Sequence, residues 1–290
     1  MPISSKIAAF LSLIRFNKPI GTLLLLWPTM GALWIAAKGV PDYSLLAIFI
    51  AGTFLMRSAG CIVNDMADRN LDGAVARTVD RPLVTGAISL GEAVIFAALL
   101  CLLAFGLVLL TNTLTVFLSL VAVLLTSVYP FMKRHTNLPQ IVLGAAFSWG
   151  IPMAFAAQMG YLPAEMWLLY FGNLLWTIVY DTEYAMVDRA DDLKVGIRST
   201  AILFGDADRM IIGCLQGMCL LAFFLAGQRF GLGTSYTLAL VVVIALFGYQ
   251  QYLIRQRQPA ACFKAFKHNN WVGIAVFIGI VLNYPLTPGS

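Results

Sequence analysis

Two short stretches of this 290-residue chain hold most of its carboxylates. The first, Asn64 to Gly86 (NDMADRNLDGAVARTVDRPLVTG), carries Asp65, Asp68, Asp72 and Asp80. The second, Asp181 to Thr200 (DTEYAMVDRADDLKVGIRST), carries Asp181, Glu183, Asp188, Asp191 and Asp192. Nine of the 14 acidic residues therefore fall in two segments of an otherwise apolar chain. A bound cation is the simplest reason for such crowding.

The spacing sharpens that expectation. Asn64, Asp68 and Asp72 are four apart, so a helix running through them would carry one polar stripe, with Asp65 beside it. Arg57, seven residues before Asn64, falls near the same face. Asp188 and Asp192 repeat the four-residue step, and Asp181 lies seven before Asp188. Two facing helices of this kind would offer hard oxygen ligands with no His/Cys cluster, a set that suits Mg²⁺ rather than zinc. Mg²⁺ is commonly held by one or two carboxylates plus substrate phosphates. Arg77, Arg81, Lys194 and Arg198 flank the carboxylates and could take non-bridging phosphate oxygens. A diphosphate bridged by two Mg²⁺ is the ligand these residues predict. A single Asp-x-x-x-Asp at a helix end is usually solvated surface; two, in a chain this poor in charge, point to a site.

The elements that must carry these residues are membrane helices. Mean hydropathy is +0.84, 60% of residues are hydrophobic and only 11% are charged, against about 25% charged in soluble domains. Nine apolar runs lie near 20–37, 45–63, 93–110, 114–132, 138–157, 161–180, 210–226, 234–254 and 271–285, each approaching the length that crosses a bilayer. Residues 1–18, with Lys6, Arg15 and Lys18, read as a short interfacial helix, and no cleavable leader pattern precedes the first run. The expected fold is an all-α integral membrane bundle of nine spans around a central cavity. It forms one domain over 1–290, with polar segments 64–90 and 181–209.

Charge sets the orientation. With the N-terminus inside, sixteen of the 19 basic residues fall in cytoplasmic gaps and only Lys38 and Arg229 fall outside. This bias predicts a cytoplasmic N-terminus, an external C-terminus, and both acidic stretches on the cytoplasmic face. The net charge of +5 is thus topology and not a nucleic-acid footprint. Cys61, Cys101, Cys214, Cys219 and Cys262 form no close ligand pattern, and the four that sit in or beside apolar runs read as small core residues. Lys133, Arg134 and His135 read first as anchors on the inner side, as do Arg255, Arg257, Lys264 and Lys267. His268 reads as an interfacial polar residue, and Tyr129, Trp149 and Tyr180 as packing aromatics.

These residues also carry a resemblance. Asn64-Asp65-x-x-Asp68-x-x-x-Asp72, followed by Arg77-Thr78 and Arg81-Pro82-Leu83-x-x-Gly86, resembles the first signature of the UbiA-type intramembrane prenyltransferases. The segment Tyr180 to Thr200 resembles the second. Asn17-Lys18-Pro19-Ile20-Gly21 and Tyr129-Pro130-Phe131-Met132-Lys133-Arg134 are similar to the 4-hydroxybenzoate branch that serves ubiquinone biosynthesis. The resemblance implies two Mg²⁺ and transfer of a polyprenyl group from polyprenyl diphosphate to the ring carbon ortho to a phenol oxygen. It implies Asn64, Asp68 and Asp72, with Asp65 less securely, for one metal, and Asp188 and Asp192 for the other. Asp191 or Asp181 would orient the phenol or accept its proton. Arg134, or else Arg57, would hold the acceptor carboxylate, and Lys133 joins the substrate-binding set. It also implies a multi-pass protein of a bacterial inner membrane.

Three alternatives stay open at this point. The acceptor could be another aromatic, such as a naphthoate or homogentisate. Asp72-Gly73-x-x-Ala76-Arg77 matches part of the CDP-alcohol phosphotransferase pattern, but Leu90 and Val94 stand where that pattern needs aspartates. A transporter would place its charges at the midplane of broken helices, whereas here only Arg57 lies deep.

Overall fold

The structure is a computed structural model that describes residues 3–74 and 77–284. Among the described residues it is all helical. Helix α1 (Ile3–Leu13) precedes α2 (Ile20–Ala37), α3 (Tyr43–Asp68), α4 (Leu90–Val108) and α5 (Thr113–His135). Then come α6 (Pro139–Ser148), α7 (Gly150–Met159), α8 (Met166–Val195), the short α9 (Thr200–Phe204), α10 (Asp208–Phe230), α11 (Thr234–Leu253) and α12 (Pro259–Val281). Among the described residues, seven spans are long and apolar enough to cross a membrane, with α6 and α7 counted as one. The other two long helices, α8 and α12, carry the polar residues of the interior, among them Asn173, Asp181, Glu183 and Asn269. Large apolar side chains such as Ile95, Leu102, Leu110, Leu124 and Leu238 are exposed on the outer helices, a surface that suits contact with lipid.

Local chemistry explains several boundaries. Ser89 and Glu92 form a reciprocal capping box that starts α4. Pro139 opens α6 and Pro259 opens α12, at positions where a missing N–H costs nothing. The α6–α7 span breaks at Trp149, and Pro152 cannot donate to the carbonyl of Ser148. At this break Gly150 lies against Thr29 of α2: a Cβ there would sit 2.3 Å from the Thr29 hydroxyl.

Two sequence expectations need correction. The run at 271–285 is only the second half of α12, which begins at Pro259. Its first half carries Lys264, Lys267 and Asn269 on a continuous helix, so charge hid it from a hydropathy reading. Asn64, Asp68 and Asp72 do not share one helical stripe either. Helix α3 ends at Asp68, and Asp72 sits in a separate 3₁₀ turn, Asp72–Ala74.

The long helix α8 packs against α6, α7, α10 and α12, while α2, α3 and α5 complete the surround. Helix α1 lies on α3 and α4, with Leu13 fully buried and Phe10 edge-on to Phe96. Arg15 then turns the chain through a left-handed conformation, φ 60°. That turn directs its guanidinium back under the bundle.

Candidate active site

A cavity of about 1060 Å³ runs up the bundle between α2, α3, α5, α6 and α8. Its deeper walls are apolar, built from residues such as Ile48, Phe49, Phe105, Val108 and Met153. Its mouth is polar, lined by Arg15, Asn64, Asp65, Arg77, Arg81 and Asp181. The two acidic stretches meet at this end.

Four carboxylates at this end, Asp65, Asp68, Asp72 and Asp188, pair with cations from other segments of the chain. Asp65, 1% exposed, accepts from Arg15 Nη2 at 2.7 and 2.8 Å and lies 3.0 Å from Arg81 Nη1. Asp72 Oδ2 accepts from the same Arg81 nitrogen at 2.5 Å. Asp68 Oδ2 accepts from Lys133 of α5. Asp188 is clasped by Arg77, at 3.1 Å from Nε and 2.5 Å from Nη2. Arg77 lies over the Tyr184 ring at 4.7 Å. Since Arg77 comes from the first stretch and Asp188 from the second, this contact closes the mouth. A helix places Asp181, Tyr184 and Asp188 of α8 on one face.

The donor set can be tested against a hard divalent cation. Among the described residues, no three His, Cys, Asp or Glu side chains already converge as a cage. Mg²⁺ does not need one, because substrate phosphates complete its shell. Two observations fit. Asp68 Oδ1 is buried with no hydrogen-bond partner, an orphaned acceptor of the kind a cation satisfies. Asp192, on α8 beyond its apolar part, is raised to about 7 by burial and by Asp188 beside it, a like-charge crowding that a cation relieves. Asp65 differs, since two arginines already occupy its oxygens.

The structure does not bring every expected residue to the cavity. Arg134 turns away and donates to the Ala67 carbonyl at the end of α3. Lys194 pairs with Asp191 at 2.9 Å on the surface. Arg198 donates to the His135 carbonyl at 3.2 Å. Asp191 is therefore engaged outside the mouth, whereas Asp181 lines it. Arg57 lines the cavity deeper down.

Sequence reasoning missed several contributors. Arg15, Lys18 and Lys267 read as membrane anchors, yet all three line the cavity. The Asp208 clamp was also missed. Arg189 donates to the carbonyls of Ala201 and Gly205 and lies 3.1 Å from the fully buried Asp208. Arg257 takes the same carboxylate at 2.9 Å. This clamp holds the polar end of α8 from behind, on the residue next to Asp188. The sequence signal was the Asp206-Ala207-Asp208 step beside the Gly205 turn.

Residues 25–271 match the model of the UbiA prenyltransferase family. The chain belongs to that family. Curated UbiA relatives cover almost its whole length. A 4-hydroxybenzoate octaprenyltransferase from Saccharophagus degradans is 58% identical over 286 residues, 99% of this chain and 96% of the relative. Another from Pseudomonas aeruginosa (strain LESB58) is 60% identical over 277 residues, 96% of this chain and 94% of the relative. A third from Coxiella burnetii (strain CbuK_Q154) is 57% identical over 97% of this chain and 98% of the relative.

Solved structures give the same fold. The apo UbiA homologue from Aeropyrum pernix superposes with a TM-score of 0.80 at 24% identity, covering 91% of this chain and 98% of that one. A UbiA homologue from Archaeoglobus fulgidus bound to GPP and Mg²⁺ has a TM-score of 0.73 at 17% identity, covering 94% and 99%. The protein is thus a prenyltransferase whose helices build a membrane-spanning bundle.

Proposed function

We propose that this enzyme transfers a polyprenyl group from polyprenyl diphosphate to the ring carbon ortho to the hydroxyl of 4-hydroxybenzoate, a membrane step of ubiquinone biosynthesis. The observation that carries the reading is the meeting of both acidic stretches at the polar mouth of one long apolar cavity. The names of relatives near 60% identity support the acceptor and the polyprenyl donor.

Asn64, Asp68 and Asp72 would hold one Mg²⁺, and Asp188 and Asp192 would hold a second. Bound Mg²⁺ supplies charge neutralisation for the departing diphosphate. The chain's own groups do the rest. Arg77, Arg81 and Lys133 pair with carboxylates at the mouth and are the cations that can pass to phosphate oxygens, where they stabilise the charge that develops as the allylic C–O bond breaks. The apolar walls take the prenyl tail and keep water from the allylic cation. The phenol's ortho carbon attacks that cation, forming the C–C bond, and then loses its proton. Asp181, which lines the cavity while Asp191 faces outward, is the carboxylate suited to orient the phenol or accept the proton.

Asp65 is assigned to hold Arg15 and Arg81 and not to ligate metal. The whole chain acts as one membrane domain of nine spans. It sits in a bacterial inner membrane with the mouth and the N-terminus cytoplasmic, a topology supported by the basic-residue bias of the loops.

The test is an assay of purified protein in vesicles with a long-chain polyprenyl diphosphate, 4-hydroxybenzoate and Mg²⁺, read by product mass with an EDTA control. Mg²⁺-dependent prenyl-4-hydroxybenzoate is expected. Product only with a naphthoate or homogentisate would move the acceptor and keep the reaction class. No product with any aromatic acceptor would refute the reading.

A further inference from the structure

Asp181 lines the mouth, yet none of the ion pairs among the described residues includes it. Its neighbour is a neutral amide. Gln140 stands in the first turn of α6 and is 4% exposed. Its Oε1 accepts from the backbone N–H of Thr200 at 3.1 Å. A backbone N–H can only donate, so the amide oxygen must face Thr200 and the amide NH₂ must face the other way. There it donates to the Asp181 carboxylate.

Gln140 therefore binds both ends of the second acidic stretch, its first residue Asp181 and its last, Thr200. The surrounding contacts hold this arrangement in place. Thr182 and Thr200 are fully buried, with their hydroxyls 2.7 Å apart. The Arg198 backbone N–H donates to the Lys133 carbonyl at 3.1 Å, and the Arg198 guanidinium donates to the His135 carbonyl. The 198–200 turn is thus stitched to the junction of α5 and α6, and Gln140 carries that stitch to the cavity. A charge-assisted donor fixed on one side of a carboxylate sets the direction of its remaining lone pairs.

We infer that Gln140 is a positioning residue for the reaction: it aims the Asp181 carboxylate at the acceptor phenol and ties that aim to the 198–200 turn. The inference rests on Asp181 being the carboxylate that meets the phenol.

The test is a double-mutant cycle on the full chain in vesicles, with 4-hydroxybenzoate, a polyprenyl diphosphate and Mg²⁺. Gln140→Met is close in shape and lacks the amide. It is expected to lower kcat about tenfold, the scale of one charge-assisted hydrogen bond, with the KM of the prenyl diphosphate unchanged. Asp181→Asn is expected to lower kcat about 10²-fold. On the Asp181→Asn background, Gln140→Met should add less than about twofold, because the group it acts through is already gone. Gln140→Asn keeps the amide but is one methylene too short to span both partners; it should lower kcat by a similar factor, and it decides if Gln140→Met does not fold. If Asp181→Asn is too slow to measure, the split between kcat and KM decides. A wild-type kcat in either folded Gln140 variant, a loss confined to the KM of the prenyl diphosphate, or a Gln140→Met loss undiminished on Asp181→Asn overturns the inference. A wild-type kcat in Asp181→Asn itself would instead overturn the role of Asp181 on which the inference rests.

Discussion

Replacing Asp65 and Asp68 by asparagine should give opposite signatures, although the two residues are three apart in one acidic motif. Asp65 is sealed between Arg15 and Arg81. Asp65→Asn removes the charge and leaves two guanidinium groups competing for one amide oxygen. Breaking a buried ion pair by removing one partner costs about 3–5 kcal/mol. Arg15 retains 21% exposure and can turn partly to water, so the expected loss is about 2–4 kcal/mol.

Asp68 pairs with a single lysine and keeps one oxygen unpartnered. Lys133 retains 20% exposure and is left with no second competitor for the amide, so Asp68→Asn should cost less than Asp65→Asn, about 1–2 kcal/mol, while lowering kcat at least about 10²-fold, as expected for a lost metal ligand. The protein carries its own reporter for the first effect. Cys61, Cys219 and Cys262 are free and buried, so a thiol-reactive fluorophore will follow unfolding in detergent as they become accessible. Paired with Mg²⁺ titration of activity, the experiment separates the roles. A stable Asp65→Asn protein with a sharply raised Mg²⁺ requirement would refute the reasoning and return Asp65 to the metal set.

Other outcomes follow from the same geometry. Asp68→Ala and Asp188→Ala are each expected to abolish most turnover while prenyl-diphosphate binding survives; near-normal turnover in either, by product mass, would sink the metal assignment. Chelation by EDTA should stop the reaction, and added Mg²⁺ should restore it. Asp208→Asn should lower the thermal midpoint and also raise the Mg²⁺ concentration needed for half-maximal rate, because Arg189 adjoins Asp188; an unchanged Mg²⁺ dependence would make the clamp purely structural. Gly150→Ala should destabilise by about 1–3 kcal/mol through overpacking against Thr29, and Thr29→Ala in the same protein should recover much of that loss.

The sequence by itself determined the class of this protein and the two segments in which its carboxylates cluster. Apolar runs of bilayer length leave a chain few folds, since every backbone group must be satisfied within a helix. Carboxylates clustered against that background mark themselves. The period of the helix placed Asp181 and Asp188 on one face correctly, because α8 continues unbroken through both. The same reasoning failed for Asp72, because α3 stops at Asp68. It failed again for α12, whose polar first half, with Lys264, Lys267 and Asn269, masked a helix that hydropathy alone shortened.

Pairing was decided only by the tertiary structure. Arg15 reaches Asp65 across 50 positions of sequence, and Arg77 reaches Asp188 across 111. Arg134 and Lys133 are adjacent, yet one faces a helix end and the other an aspartate. A basic residue near a membrane surface looks the same in sequence whether it anchors a loop or lines a cavity. What separates the two is the direction of its side chain, and only the packing of helices distant in sequence sets that direction.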